Sequence, residues 1–293
     1  MKLTIAFITK DRCNELIKAL HSCFAQNFGE VQYVVVDNGS LDGTRDYLRE
    51  LDNKNLINLK TYYSKDNLGV AGGRNKAMEL ADGEYVFFLD DDAVIESENL
   101  FTIICKYMDE NNQVGALALK TYEEITKRYL KGALVKYTAG SLVDTLQYIG
   151  CAHVLRKAIF ENQKLYPSRL GYGSEELYAS LRIWKRGYLI KYLNDVMIRH
   201  IPSPSNRLSE REREYNILTN IYVVKMLTYP FVFRLITKLV FIARLAKNKY
   251  LDKETRKRLK EDVAFRYLPK EVERISYPQL LWLGKTFGWR YLL

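Results

Sequence analysis

Three adjacent aspartates, Asp90, Asp91 and Asp92, end an apolar run, and carboxylates placed in this way suit a metal site. The four residues at 86–89 are Val, Phe, Phe and Leu, a pattern typical of a strand buried on both faces. Neighbouring carboxylates repel one another, and burying them is costly unless a cation lies between them. Hard oxygen ligands suit Mg²⁺ or Mn²⁺, which usually also bind a phosphate. A solvated acidic turn is the alternative, but the position directly after a buried strand favours the metal site.

Two further motifs could contact a nucleotide. Asp37 ends the β-branched run VVVD, where its carboxylate could accept a hydrogen bond from a nucleobase imide N–H or stabilise the following turn. The glycines of NLGVAGGRN would let backbone approach a nucleotide, and Arg74 could pair with a phosphate at a helix start. An ordinary glycine turn with a surface arginine explains the same residues. The spacing is not G-x-G-x-x-G, which argues against a dinucleotide-binding fold.

The second half of the chain adds an acidic pair and a histidine. Glu175 and Glu176 begin the segment EELYASLRIWK, where acidic residues also suit a helix N-terminus for electrostatic reasons. His200 ends the strand-like run MIRH, and a single histidine is more often structural than a ligand. The residue types alone therefore leave the roles of all three side chains open.

Strands and helices alternate along the first 92 residues, and this order predicts the fold. Four strands and three helices predict an α/β fold with a mostly parallel, Rossmann-like sheet flanked by helices. Ligands bind such sheets beyond the carboxyl ends of the strands, where the polar clusters 9–11, 37–40 and 90–92 fall. The predicted strands are 3–8, 31–36, 56–63 and 84–89, and the predicted helices are 15–24, 43–51 and 73–80.

The pattern is less regular after residue 92. The sequence predicts a helix over 94–107, a strand over 114–119 and a helix over 177–186 that stops at Gly187. Residues 120–150 have no clear pattern. Two short strands are expected at 188–192 and 196–198, followed by a boundary at 201–205, where two prolines stand.

Charge is unevenly distributed along the 293 residues. Residues 1–200 hold 26 Lys and Arg against 26 Asp and Glu, whereas residues 201–293 hold 19 against 9 and carry the whole net charge of +10. A basic C-terminal segment suggests an anionic partner. A nucleic acid is disfavoured because no nucleic-acid-binding motif accompanies the basic residues. Four scattered cysteines indicate a reducing compartment, and the start MKLTIAFITK is too quickly polar for a signal peptide.

The basic segment also carries apolar surface. Residues 215–246 are apolar but interrupted by basic residues, so no uncharged run approaches the ~20 residues that a membrane span needs. Pro230 should bend or restart the helix, and the helix after it has the pattern of one lying in a membrane interface. Alternatively, its apolar residues pack on the rest of the protein. The last residues add aromatic side chains that favour a membrane–water boundary, namely Trp282, Phe287, Trp289 and Tyr291.

The ordered motifs TIAFITKDR, VVVDNGSLDGT, NLGVAGGRN, FLDDD, GSEELYASLRIWKRGY and RH resemble the family 2 glycosyltransferases over roughly residues 1–200. The resemblance implies a GT-A fold and an inverting, metal-dependent enzyme that uses nucleotide-diphosphate sugars. It implies a catalytic domain over 1–205, with a nucleotide-sugar-binding half at 1–92 and an acceptor-binding half at 93–205. Residues 206–293 then form a basic helical extension.

The resemblance also implies residue roles. Glu176 matches the catalytic base and Glu175 its acidic neighbour, with two departures from the family pattern. The base is Glu rather than the usual Asp, and Tyr178 stands where the family has a later Asp, which puts acceptor contacts in doubt. The donor-binding positions are Thr9, Asp37, Arg74, Asp90 and Asp91, and the positions matching ligands of Mn²⁺ or Mg²⁺ are Asp92 and His200.

The expected activity is transfer of a sugar from a UDP-hexose or dTDP-rhamnose to a lipid-linked or growing cell-surface glycan. The enzyme would lie in the cytoplasm, on the inner face of the cell membrane. One alternative is a sugar-phosphate nucleotidyltransferase, although TKDRCNEL lacks the glycine-rich first loop of that class. Another is a non-catalytic glycan-binding protein on the same fold.

Overall fold

One mixed β-sheet organises the computed structural model, which describes residues 1–55, 57–130, 142–161, 163–203, 208–250, 252–268, 270 and 272–293. The strands are β1 (Leu3–Thr9), β2 (Val31–Asp37), β3 (Asn58–Tyr63), β4 (Tyr85–Leu89), β5 (Ala93–Ile95), β6 (Val114–Glu123), β7 (Arg128–Leu130), β8 (Leu142–Asp144), β9 (Ala152–Arg156) and β10 (Leu189–His200). The helices are α1 (Cys13–Phe24), α2 (Thr44–Asn53), α3 (Gly69–Leu80), α4 (Leu100–Glu110), α5 (Glu175–Lys185), α6 (Glu210–Thr228), α7 (Phe231–Lys247), α8 (Lys253–Arg266), α9 (Tyr277–Phe287) and α10 (Trp289–Leu292).

The strand order is β3-β2-β1-β4-β9-β6-β10-β5, with β7 beside β6 and β8 beside β10. The four strands of the first half pair in parallel, and β6 pairs in parallel with β10. Antiparallel β9 separates these two groups. The predicted α/β fold is confirmed, and the parallel first half brings the ends of β1, β2 and β4 to one edge of the sheet.

Each central strand contributes alternate side chains to two hydrophobic layers. In β1, Ala6 packs in one layer while Ile5 and Phe7 pack in the other. The same alternation places Val86 and Phe88 of β4 opposite Phe87 and Leu89. Both faces of these strands are therefore buried, which is why the strands appear in the sequence as nearly continuous apolar runs.

Two predictions for the second half of the chain are wrong. Residues 94–107 are not one helix, because β5 pairs with the end of β10 and α4 begins only at Leu100. The strands predicted at 188–192 and 196–198 are one strand, β10, which begins at Leu189 and whose pairing with β6 is interrupted by a register shift between Leu193 and Ile198. Local patterns missed both features because the sheet partners lie far away in the sequence.

Some predictions fall partly outside the described residues. These are Leu56 at the start of the third predicted strand, residues 131–141 of the unpatterned segment, and residues 204–205 of the predicted boundary. Within the described residues of the unpatterned segment, β7 extends the sheet beside β6 and β8 beside β10. The placement of the domain limits at 205 and 206 remains a prediction.

The C-terminal helices pack against the sheet-bearing part of the chain. Leu177 and Trp184 of α5 share one hydrophobic cluster with Val223 of α6 and with Leu280 and Phe287 of α9. Pro230 separates α6 from α7, which confirms the predicted interruption. Packing of α6 and α9 on the rest of the protein, which the sequence left open, is therefore observed.

Candidate active site

The polar clusters at the ends of β1 and β2 form one hydrogen-bonded surface. Thr9 and Asp37 are register partners, and both are buried. The backbone N–H of Asn38 donates to the Thr9 carbonyl at 2.8 Å, and the N–H of Asp11 donates to Ser40 Oγ at 2.8 Å. Parallel pairing thus places Thr9 and Asp37, the two residues predicted to line the nucleobase pocket, side by side. They lie at the carboxyl ends of β1 and β2, where sheets of this kind bind ligands.

Asp37 is held by two donors from its own half of the fold. Arg45 Nε donates to Asp37 Oδ2 at 2.6 Å, and the N–H of Ser40 donates to Oδ1 at 3.0 Å. These bonds engage both carboxylate oxygens and orient the fully buried side chain of Asp37. Arg45, which the sequence did not single out, is thus a candidate partner of the nucleobase pocket.

Asp91 and Asp92 share a cation, Arg12. Arg12 Nη1 lies 2.9 Å from Asp91 Oδ1 and 3.3 Å from Asp92 Oδ2. Burial raises the pKa of Asp91 to about 7, and the charge of Arg12 opposes that rise. The TKDRCNEL turn therefore contributes a charge to the acidic cluster, a role that its sequence did not reveal.

Asp92 meets the last residue of β10. His200 Nε2 lies 3.2 Å from Asp92 Oδ1, and the N–H of Ser203 donates to Oδ2 at 3.0 Å. Burial favours the neutral forms of both side chains, but their mutual attraction outweighs it, so the pKa of Asp92 is lowered and that of His200 is raised. The two predicted metal-binding residues are thus adjacent, in surroundings that favour a positive charge.

The donor set around His200 fits a hard divalent cation. Among the described residues, ligand atoms of Asp90, Cys151 and His200 lie within 4.8 Å of one another, with Asp92 beside His200. Burial raises the pKa of the Cys151 thiol well above its ordinary value, so Cys151 is a poor ligand. The carboxylates of Asp90 and Asp92 suit Mn²⁺ or Mg²⁺, and the imidazole of His200 is a softer ligand beside them.

Arg74 connects the acidic edge of the sheet to the pair of glutamates. Its guanidinium donates to Glu175 Oε1 at 3.0 Å, to Asp90 Oδ1 at 3.0 Å and to the Gly150 carbonyl at 2.9 Å. Glu176 Oε1 lies 3.6 Å from Arg74 Nη1. The structure thus places Arg74, expected near a phosphate, between three carboxylates, and its side chain is 4% exposed.

Gly150 allows this close approach. A Cβ atom at position 150 would lie 2.1 Å from Glu176 Oε1 and 3.1 Å from Arg74 Nη1. Any larger residue would therefore displace the glutamate, the arginine or both. No sequence pattern pointed to this position, because Gly150 lies in the segment without a clear pattern.

The two glutamates differ in exposure. The side chain of Glu175 is 3% exposed and that of Glu176 is 17% exposed. Burial and then the neighbouring Glu176 raise the pKa of Glu175 to about 8, against the charge of Arg74. Burial also raises the pKa of Glu176, and Arg74 opposes it. Glu176 is therefore the more accessible of two carboxylates poised to hold a proton.

Replacement of Glu175 by glutamine should reduce the pH dependence of stability. The folded-state pKa lies above the ordinary value of 4.5, so the folded protein keeps a proton that the unfolded chain has lost. The free energy of unfolding of the wild type should therefore fall as pH rises from about 5 to about 8, by up to about 3–4 kcal/mol from this group. Urea unfolding across this range measures the effect, and parallel profiles for wild type and Glu175→Gln would contradict it.

The first half of the chain matches a known protein family. The model of glycosyl transferase family 2 matches residues 4–164, which is more than half of the chain and includes the ends of β1, β2 and β4. The chain belongs to glycosyl transferase family 2. It is therefore a glycosyltransferase, as the resemblance of its motifs indicated.

Two relatives of this glycosyltransferase are similar over long stretches. It is 27% identical over 239 residues to the Escherichia coli UDP-Glc:α-D-GlcNAc-diphosphoundecaprenol β-1,3-glucosyltransferase WfaP, covering 75% of this chain and 87% of WfaP. It is 28% identical over 196 residues to a Campylobacter jejuni GalNAc(5)-diNAcBac-PP-undecaprenol β-1,3-glucosyltransferase, covering 65% of this chain and 62% of that protein.

Solved structures share the GT-A fold of this family 2 enzyme. S. aureus TarS (residues 1–349), in complex with UDP-GlcNAc, has a TM-score of 0.61 at 21% identity, covering 77% of this chain and 67% of the TarS chain. GalNAc-T7 with UDP, GalNAc and Mn²⁺ has a TM-score of 0.67 at 14% identity, covering 98% of this chain and 58% of the other. At these identities the similarity establishes the fold.

Proposed function

We propose that this glycosyltransferase moves a sugar, with inversion, from a nucleotide-diphosphate sugar to a hydroxyl of a lipid-linked or growing cell-surface glycan. The observation that carries the proposal is the Arg74 bridge, because it joins Asp90 on the donor side to the glutamate pair. The substrates in the names of the two glucosyltransferase relatives support an undecaprenol-diphosphate-linked acceptor.

Glu176 is the general base of the proposed reaction. It removes the proton from the acceptor hydroxyl as that oxygen forms a bond to the anomeric carbon, and the bond between this carbon and the diphosphate oxygen breaks. A raised pKa suits this role, since a base titrating closer to neutral pH is stronger than an ordinary carboxylate. Attack from the face opposite the leaving group inverts the anomeric configuration with a single base.

The nucleotide lies along the ends of β1, β2 and β4 in this proposal. Thr9 and Asp37 line the nucleobase pocket, and Asp37 accepts the imide N–H of uracil or thymine. Asp90 and Asp91 lie near the ribose and the diphosphate. Asp92 and His200 would hold Mn²⁺ or Mg²⁺, which would neutralise charge on the leaving nucleoside diphosphate.

Donor identity and reaction type can be tested together. A thermal-shift panel of UDP-hexoses and dTDP-rhamnose with Mn²⁺ should identify the donor, because a ligand that binds the folded state raises the melting temperature. With that donor and an undecaprenol-diphosphate-linked acceptor, we expect release of nucleoside diphosphate that a chelator stops. Release of pyrophosphate would instead indicate a nucleotidyltransferase, and binding without turnover would indicate a glycan-binding protein.

We also propose that α7 attaches the enzyme to the cytoplasmic face of an anionic membrane. Within the described ranges, we find no helix with the length and apolar character needed to cross a bilayer. Residues 231–249 carry five basic side chains and no acidic one, which complements anionic head groups. Exposed apolar side chains on α7 are Phe231, Val232, Leu235, Leu239 and Ile242, which we call the α7 face.

The aromatic residues at the end of the chain divide between this surface and the interior. Trp282 is 50% exposed and Tyr291 is 39% exposed, whereas Phe287 is buried. Trp289 stacks on Phe233 of α7 with ring centroids 5.6 Å apart. Trp289 therefore supports the packing of α7, and Phe287 packs against Trp184 of α5. Of the four aromatic residues, Trp282 and Tyr291 are the exposed ones that fit the predicted boundary role.

The double substitution Leu235→Gln and Leu239→Gln should weaken membrane binding without affecting folding. Both leucines are exposed, and burying a leucine contributes up to about 1.5–3 kcal/mol, so we expect at least about a tenfold loss of affinity. Flotation of the full chain with phosphatidylglycerol-containing liposomes measures this loss, and phosphatidylcholine liposomes should bind less.

Ile125→Gln is the matched control, since Ile125 is also exposed but lies outside α7. It should bind like the wild type. Equal binding by the wild type and the double variant would contradict attachment through the α7 face.

A further inference from the structure

The turn that leads into α5 holds an unfavourable backbone conformation. Gly173 has a φ of 91° and Ser174 a φ of 68°, both in the left-handed region. Serine rarely adopts this region, and such strain persists only where surrounding contacts enforce it. The turn ends directly before Glu175 and Glu176, so whatever enforces it also sets the direction of these side chains.

Asn220 of α6 binds this turn. Its Nδ2 group donates to the carbonyl oxygens of Gly171, Tyr172 and Gly173 at 3.1, 3.2 and 2.6 Å. Asn220 is fully buried, so water cannot replace these carbonyl oxygens as acceptors for its amide. The two N–H groups are therefore shared among three consecutive carbonyls, which fixes the path of the chain.

Arg266, the last residue of α8, holds Asn220 from the other side. Its Nη1 donates to Asn220 Oδ1 at 2.7 Å and its Nη2 donates to Asn216 Oδ1 at 2.7 Å. Because the Asn220 oxygen is taken by Arg266, its nitrogen must point towards the turn. Arg266 is itself buried, so a charge-assisted hydrogen bond in the protein interior fixes the orientation of the Asn220 amide.

The turn also fits closely against α6. A Cβ atom at position 173 would lie 2.9 Å from Ile217 Cγ1, so only glycine allows this approach. Further along α5, Arg182 pairs with Glu273, and Gln279 Nε2 donates to the Lys185 carbonyl at 3.0 Å. Residues of the C-terminal region thus contact both the turn that precedes α5 and the last residue of α5, Lys185.

We infer that Asn220, oriented by Arg266, is a positioning residue for the catalytic glutamates. This inference rests on the proposed function. The two residues, which we call the Asn220–Arg266 clamp, hold the strained turn so that Glu176 faces the space beside Arg74 and Gly150. The C-terminal region therefore completes the active site as well as carrying the α7 face.

Asn220→Asp tests the clamp in the full chain. Aspartate keeps the shape and an oxygen for Arg266, but it replaces the donating amide with an oxygen that repels the three carbonyls. We expect kcat to fall by about 10–10²-fold, since small displacements of a reacting group cost this much, with the donor KM unchanged within about twofold. Amide hydrogen exchange at residues 172–176 should become faster, and circular dichroism should match the wild type.

Thr219→Val is the matched control. Thr219 is a fully buried polar residue of the same helix, and its hydroxyl donates to the Tyr215 carbonyl rather than to the turn. It should keep the wild-type kcat and the wild-type exchange at 172–176. Arg266→Lys provides a milder change if Asn220→Asp does not fold, because it keeps the charge but loses the two-pronged bond.

A kcat within about twofold of the wild type in folded Asn220→Asp would overturn the inference, as would a rise in donor KM at unchanged kcat. An equal loss of kcat in Thr219→Val would assign the effect to general destabilisation and also overturn it. If the wild type releases no nucleoside diphosphate from any donor, the proposed function fails. Hydrogen exchange, which needs no substrate, still decides whether Asn220 holds the turn.

Discussion

Glu176→Gln is expected to abolish most sugar transfer while leaving donor binding intact. Glutamine has the shape of glutamate but cannot accept the proton of the acceptor hydroxyl, and a positioned base contributes about 10²–10⁴-fold to the rate. Glutamine keeps the size of a side chain that lies 3.6 Å from Arg74, so the affinity for the nucleotide sugar should change little. Nucleoside diphosphate release measures transfer, and calorimetric titration measures donor affinity.

The pH dependence of the wild type gives a second check on Glu176. Only the deprotonated base is active, so kcat/KM should rise as pH increases through the pKa of Glu176. That pKa is raised by burial, so the rise should occur at higher pH than for an ordinary glutamate. Arg74→Met removes the opposing positive charge and should move the rise to still higher pH.

Glu110→Gln is the control for this series, because Glu110 is an exposed residue at the end of α4. It should transfer sugar like the wild type. Wild-type transfer by Glu176→Gln would remove Glu176 from the role of base and would direct attention to Glu175 or to another group.

Asp92→Asn is expected to cause the second large loss, in metal-dependent donor binding and in turnover. The amide oxygen of the substituted side chain would still accept the Ser203 N–H, but the variant would lack the negative charge that suits a divalent cation beside His200. A bound metal supplies several kcal/mol of charge stabilisation, so we expect turnover to fall by roughly 10²–10⁴-fold. Titration with Mn²⁺, followed by electron paramagnetic resonance, measures binding without any reference to activity.

Asp52→Asn removes a charge from an exposed position on α2 and should leave Mn²⁺ affinity and turnover at wild-type values. His200→Asn should weaken Mn²⁺ binding less than Asp92→Asn, because it removes a neutral ligand rather than a charge. Wild-type Mn²⁺ affinity and turnover in Asp92→Asn would contradict Asp92 as a metal ligand. That result would favour Asp90, whose carboxylate lies in one cluster with His200.

The sequence determined the parts of the fold that depend on local pattern. Apolar runs ending in polar residues predicted β1, β2 and β4, and parallel pairing then brought Thr9, Asp37 and Asp90 to one edge of the sheet. Predictions failed where pairing is distant, as for β5 and β10, because an antiparallel partner more than a hundred residues away leaves no periodic trace.

Only the tertiary structure showed which charged and polar side chains are hydrogen-bonded to one another. Arg74 and Glu175 are separated by 101 positions, and Asn220 and Arg266 by 46, yet each pair forms a short hydrogen bond in the interior. The chain has 45 Lys and Arg and 35 Asp and Glu, and their spacing along the sequence does not specify partners. Residue types and local periodicity therefore predicted the strands and a possible metal site, and the resemblance of the ordered motifs indicated the family. The pairing of buried charges depends on which helices the core brings into contact, and so only the folded chain revealed the environment of the proposed base.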